Sequence, residues 1–200
     1  NAKKPPSNIC AVSWALWYVV SCWGVSAIED CVNINYTEIF NKYLRLLYQL
    51  IEKAEHSDAN ESEFLRARLF EDMLPFNVQV KIVTNFALRG ACPVSGNKYE
   101  ELTADIESFN GLKSHIAATI EHINQLAQNT IEQPEFIVKD TAGLKEVFMK
   151  ETDYLSSFAL PNFFFHLSMA YAIAKSCGIS VTKGDFDGIH HYPKGFSWES

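Results

Sequence analysis

Apolar residues recur at helical spacing from Tyr36 onward. Ile39, Phe40, Tyr43, Leu44, Leu47, Leu50 and Ile51 fall on one broad face, and the pattern stops near His56-Ser57-Asp58. This stripe predicts a first long helix. A polar link comes next, in which Asn60 or Ser62 is placed to cap the shorter apolar piece FLRARLFEDMLP. Pro75 suits the first turn of a second long helix that carries Val78, Ile82, Val83, Phe86 and Ala87 and ends near Gly90.

Cys92-Pro93-Val94-Ser95-Gly96-Asn97 reads as turn chemistry. Beyond it Leu102, Ile106, Phe109, Ile116, Ile120, Ile123 and Ala127 mark a third long helix, interrupted only by Asn110-Gly111. The period then changes. In EFIVKDTAGLKEVFMK two short runs flank Asp140-Thr141-Ala142-Gly143, which predicts a small β-hairpin on the crossover to the last helix. That helix runs from about Asp153 to Cys177, with Gly178 as its C-terminal cap. Pro161 removes one helical donor and disfavours helical geometry at Leu160, so a kink or a fresh start is expected there. The Gly- and aromatic-rich tail is expected to lie across the surface without regular structure.

Four long stripes with one longer crossover are best buried as an all-α four-helix bundle over residues 34–188, with residues 1–33 as an apolar extension and 189–200 as a tail. The extension places Lys3 and Lys4 before an uncharged run from Ile9 to Ile28. It reads as a secretory signal cleaved after Val25-Ser26-Ala27, as a membrane anchor, or as an additional aromatic helix able to supply a homodimer face. Both secreted and cytoplasmic locations fit these readings. The triplets Asn35-Tyr36-Thr37 and Asn60-Glu61-Ser62 are glycosylation sequons only in the secreted case.

With 48% hydrophobic and 20% charged residues, the 200-residue chain can bury a substantial core. A formal charge of -7 and no basic run beyond a pair argue against a nucleic-acid partner. The five cysteines form no CxxC pair, and Cys92 and Cys177 read as small apolar residues near helix ends. No Gly-rich phosphate loop, GxSxG elbow or HExxH motif is present.

What chemistry the sequence offers gathers around His166, set among phenylalanines in LPNFFFHLSMAY. Phe158, Asn162, His166 and Met169 share one helical face, so Asn162 and His166 should look into the bundle together. Gln79 and Asp72 are the residues expected to face them. A buried imidazole without partners would cost about 1–3 kcal/mol, so a hydrogen-bonded set is required whether or not it has a task. The set admits a polar cluster that fixes helix register, or a small-molecule pocket. In the pocket His166 is the general base or donor, Asn162 and Gln79 orient it or the ligand, and Asp72 holds a cationic group. His115 and His122 read as solvent-boundary residues, Arg68 and Asp72 as a local ion pair, and His190-His191 as a weak tail site.

Several segments together resemble a known family. ARLFEDMLPFNVQVKIVTNFA, the hairpin, and YLSSFALPNFFFHLSMAYAIAKSCGISVTKGDFDG are similar to the helical family catalogued as domain of unknown function nineteen-ninety-three, a branch of the DinB-like (YfiT-like) bundles. The likeness runs from Ile34 to Gly188 through Ala67-Arg68-Leu69, Asp72-Met73, Pro75, Gln79-Val80, Leu160-Pro161-Asn162-Phe163, His166 and Asp185-Phe186. The wider DinB-like resemblance implies a metal held by three histidines, one from the second long helix and two, four apart, from the last. His166 matches one of the pair. Asn162 stands where the other would be, and the second helix carries no histidine. An amide is a poor partner for zinc or nickel. The expectation is therefore a small-molecule-binding or interaction protein with a degenerate metal site. Its alternative is a transferase or hydrolase using a divalent cation through His166, Asn162 and Asp72.

Overall fold

A computed structural model describes residues 35–128 and 136–193. The extension over residues 1–33 and the end of the tail lie outside the described residues. The architecture is mostly helical, with one antiparallel hairpin before the last helical run.

Helix α1 (Tyr36–Glu55) forms on the predicted stripe and buries Phe40, Leu44, Leu47, Leu50 and Ile51. Each such side chain contributes about 1.5–3 kcal/mol when fully withdrawn from water. Helix α2 (Glu61–Arg66) is capped by Asn60, whose side-chain oxygen accepts from the Glu63 backbone N–H at 3.1 Å. The Arg68 guanidinium donates to the Glu71 carbonyl at 3.2 Å and makes no ion pair with Asp72. The expected pair fails because the chain leaves the helix at Ala67, so positions 68 and 72 are not one turn apart.

Helix α3 (Phe76–Val94) passes through both expected stop signals. Gly90 is interior because the Phe40 ring of α1 needs the space: a Cβ there would stand 2.6 Å from Phe40 Cζ. Pro93 forgoes one bond in the last turn, and the Ser95 N–H closes onto Ala91 and Cys92 carbonyls while Asn97 N–H closes onto Cys92 at 2.9 Å. The turn is thus displaced to Ser95-Gly96-Asn97.

Helix α4 (Phe109–Gln128) starts later than predicted. Leu102 and Ile106 pack on the core from a segment without regular secondary structure, although their spacing matches a helix. Asp105 sets the break by accepting from the Glu107 N–H and the Ser108 hydroxyl, and Ser108 in turn accepts from Gly111 N–H at 2.9 Å. A side chain at Gly111 would collide with Asp105, its carbonyl oxygen 2.5 Å from an added Cβ.

Strands β1 (Ile137–Ala142) and β2 (Lys145–Lys150) pair in register from Ile137↔Lys150 to Ala142↔Lys145. The turn is the two residues Gly143 and Leu144, so Asp140 and Thr141 belong to the strand. Gly143, at φ 62°, takes the left-handed position such a turn requires. The last helical run comprises α5 (Glu151–Tyr154), a wider π-helical turn over Leu155–Ala159, and α6 (Leu160–Ser176). Pro161 sits in the first turn of α6, where its missing N–H costs least. The run does not begin anew: Leu160 keeps helical geometry at φ -62° and ψ -46°, contrary to the expected break, and the wider turn directly before it is where the helix accommodates the proline. The tail is more ordered than expected: α7 (Lys183–Asp187) is closed by a Thr182/Asp185 capping box and by Gly188 at φ 67°.

Helix α3 packs chiefly on α6, and α4 packs on both α1 and α3. The aromatic core is anchored by Phe40 against Phe163 at 5.1 Å and Phe64 against Phe76 at 4.6 Å. No helix among the described residues is long and apolar enough to cross a membrane.

Candidate functional site around His166

The α3–α6 contact carries the polar residues. On α6, Asn162 and His166 lie one turn apart and both are half-buried. His166 Nδ1 lies 2.7 Å from the Gln79 side-chain oxygen. Gln79 is itself only 2% exposed and donates its Nε2 to the Leu74 carbonyl at 3.2 Å. That donation fixes the amide with its oxygen toward the ring. Nδ1 must then carry the proton, and Nε2 keeps its lone pair. Among the described residues nothing hydrogen-bonds to Nε2.

The ring is stacked on Phe86 with centroids 5.9 Å apart and meets Phe165 edge-on at 5.1 Å. Burial among these aromatics lowers the His166 pKa below its ordinary 6.5. At neutral pH the imidazole is uncharged, with one nitrogen donating to Gln79 and the other able to accept.

Asn162 and Asp72 are placed differently. The Asn162 amide turns back and donates to the Phe158 carbonyl at 2.8 Å, satisfying an acceptor beside the π-helical turn. Asp72 is exposed in the loop between α2 and α3, with no hydrogen bond or ion pair among the described residues. The structure thus joins Gln79 to His166, leaves Asn162 alongside, and sets Asp72 in solvent.

The three-histidine metal arrangement is not met by these side chains. Among the described residues no group of three His, Cys, Asp or Glu could hold a metal ion. Gln79 directs its oxygen to His166, and Asn162 directs its Nδ2 to Phe158 while its Oδ1 stays uncommitted among the described residues. One imidazole nitrogen and one amide oxygen remain, a set that does not fit zinc or nickel.

Two polar groups depart from the sequence reading. His115 is 4% exposed, not at the solvent boundary, because α4 turns that flank onto α3. Thr84 donates its hydroxyl to the Lys81 carbonyl, so it accepts from His115 Nε2 at 2.8 Å, and the buried Nδ1 has no partner. Burial, then the nearby Lys81 charge, lowers the His115 pKa.

The second group is a charged constellation at the C-terminal end of α3. Arg89 Nε donates to Asp140 Oδ2 at 2.9 Å, and Nη2 donates to Asp140 Oδ1 and to the Thr141 carbonyl, the latter at 3.0 Å. Tyr154, 1% exposed, donates its hydroxyl to Asp140 Oδ2. The guanidinium lies 4.7 Å from the Phe86 ring centre and 5.6 Å from that of Phe158. Burial alone would raise the Asp140 carboxyl, but the bonds from Arg89 and Tyr154 outweigh it and hold the group below the ordinary carboxylate range. Phe86 is common to His166 and Arg89. A lone arginine in the apolar stretch FALRGACPV was the available signal for this group, but its partner lies 51 positions away.

Comparison with known proteins agrees with this architecture. The family model described as Domain of unknown function (DUF1993) matches residues 35–187. The chain belongs to this family. A crystal structure of a DinB family member protein from Shewanella denitrificans is similar, with 21% sequence identity and a TM-score of 0.61. The match covers 78% of this chain and 92% of that one, and it shows that this DUF1993 chain has a DinB-like fold. No curated protein matches the chain.

Proposed function

We propose that this DUF1993 chain is a small-molecule-binding or interaction protein in which His166 meets the ligand, and that the metal site of its DinB-like fold is degenerate. The observation that carries the reading is the Gln79-held imidazole, protonated at Nδ1 and open at Nε2. A neutral half-buried imidazole of this kind accepts a hydrogen bond from a ligand O–H or N–H, and can take its proton as a general base. The exposed Phe165 ring gives such a ligand apolar surface beside the acceptor, while the buried Phe86 backs the imidazole. The rival metal-dependent transferase or hydrolase would have to hold its ion through His166 Nε2, the Asn162 amide oxygen and an Asp72 that lies exposed in the loop between α2 and α3.

The test pairs two measurements. A fragment series of small alcohols, phenols and amides is titrated while the His166 ring nitrogens are followed by NMR. Saturable movement of Nε2, abolished in Gln79→Leu, together with loss in His166→Ala of the backbone amide shifts the fragment causes, supports the reading. One equivalent of tightly held zinc or nickel in the wild type, lost in His166→Ala, overturns it.

A further inference from the structure

A cavity of about 440 Å³ lies between the C-terminal end of α3, the loop through Gly96–Tyr99, strand β1 and Tyr154. None of its lining residues belongs to the His166 set, so a ligand here is independent of the role given to that histidine. Arg89, Lys98, Tyr99, Phe136, Asp140 and Tyr154 supply its chemistry.

The arginine is fixed in place. Its forked bonds to Asp140, its bond to the Thr141 carbonyl and its position over Phe86 and Phe158 leave it no freedom to swing. Those bonds occupy Nε–H and both N–H groups of Nη2. A guanidinium has five N–H donors, and with the Tyr154 hydroxyl also in reach of it at least one N–H on Nη1 is left for a ligand.

Charge on the lining points the same way. Asp140 neutralises Arg89, and Lys139 is paired with Glu146 at 2.6 Å. Lys98 is exposed and pairs with no described residue, so the lining carries one uncompensated positive charge. The remaining wall is aromatic: Tyr99 and Phe136 pack against the core while facing the cavity, and the Tyr99 hydroxyl is uncommitted among the described residues. The volume falls within the range of small-ligand sites, where a few convergent polar groups on apolar walls set specificity.

We propose that this cavity binds a small aromatic carboxylate, its ring against Tyr99 and Phe136 and its carboxylate shared between Arg89 Nη1 and Lys98 Nζ. A carboxylate accepts a pair of N–H donors and complements the single free charge, whereas a neutral ligand leaves Lys98 uncompensated. A dianion would meet Asp140 as well and is disfavoured.

The test is a titration of the full chain with benzoate, and separately with benzamide, followed through backbone amide NMR shifts. Benzoate is expected to give saturable shifts at Lys98, Tyr99 and Ile137 to Lys139. Benzamide should bind about tenfold more weakly. Lys98→Gln, an exposed change that spares the fold, should weaken benzoate about fivefold and leave benzamide unchanged. Arg89→Lys, which keeps the charge but loses the fixed fork, should weaken benzoate further. The proposal is overturned if benzoate gives no saturable shifts, if benzamide binds equally, if Lys98→Gln has no effect, or if the shifts centre on His166.

Discussion

His166 on α6 and Gln79 on α3 are locked together by a 2.7 Å hydrogen bond, and the amide is oriented by the Leu74 carbonyl. The relay runs from a loop through one helix to the next. Replacing Gln79 by Leu leaves both the imidazole Nδ1–H and the Leu74 carbonyl without partners. A loss of about 1–3 kcal/mol is expected from urea unfolding, because stranded buried polar groups cost more than the bond between them contributes.

Two histidines couple stability to pH in one direction. His115 and His166 both have folded pKa values below the ordinary 6.5, each through burial. As the pH falls, the unfolded chain takes up these protons first. The stabilisation is therefore complete above about 6.5 and is lost as the pH drops through the depressed folded values. Denaturation midpoints should be lower at pH 5 than at pH 7.5, and the difference should shrink in a His115→Gln, His166→Gln double variant.

The Arg89–Asp140–Tyr154 group ties the hairpin to the helices. Asp140→Asn removes the charge opposite a guanidinium whose side chain is 19% exposed. It should destabilise by about 2–3 kcal/mol, more than the roughly 1 kcal/mol expected for Tyr154→Phe, which deletes one hydroxyl bond. A double-mutant cycle by chemical denaturation should show the two changes to be non-additive, since both act on one carboxylate.

Gly90→Ala sets helix propensity against packing. Alanine gains about 1 kcal/mol in a helix interior, whereas overpacking costs about 1–3 kcal/mol. Phe40 is fully buried and held edge-on to Phe163, so its ring has nowhere to move. The variant should melt below the wild type by several degrees in a thermal scan.

The long helices were legible because amphipathic spacing reports burial directly, as the α1 stripe shows. Their ends were less so. Gly90 and Pro93 are stop signals by local chemistry, and only the approach of Phe40 and the rearranged bonds of Ser95 and Asn97 show why α3 continues. Leu102 and Ile106 have helical spacing yet lie in a segment without regular secondary structure, since one four-residue interval can bury two side chains without a helix. At the site, helical periodicity turned His166 inward, and Gln79 followed from α3 facing α6. Asp72 lies exposed because the loop before Pro75 has no periodicity to orient it inward. The Arg89–Asp140 pair depends on where the crossover hairpin docks, which no local pattern encodes.

The most direct test of the central claim is the protonation pattern of the His166 ring at pH 7.5, read from long-range proton–nitrogen NMR before and after one equivalent of zinc. A protonated Nδ1 and a bare Nε2, both unmoved by zinc, are the predicted result. A bare Nδ1, or a stoichiometric zinc-induced change at either nitrogen, would contradict it.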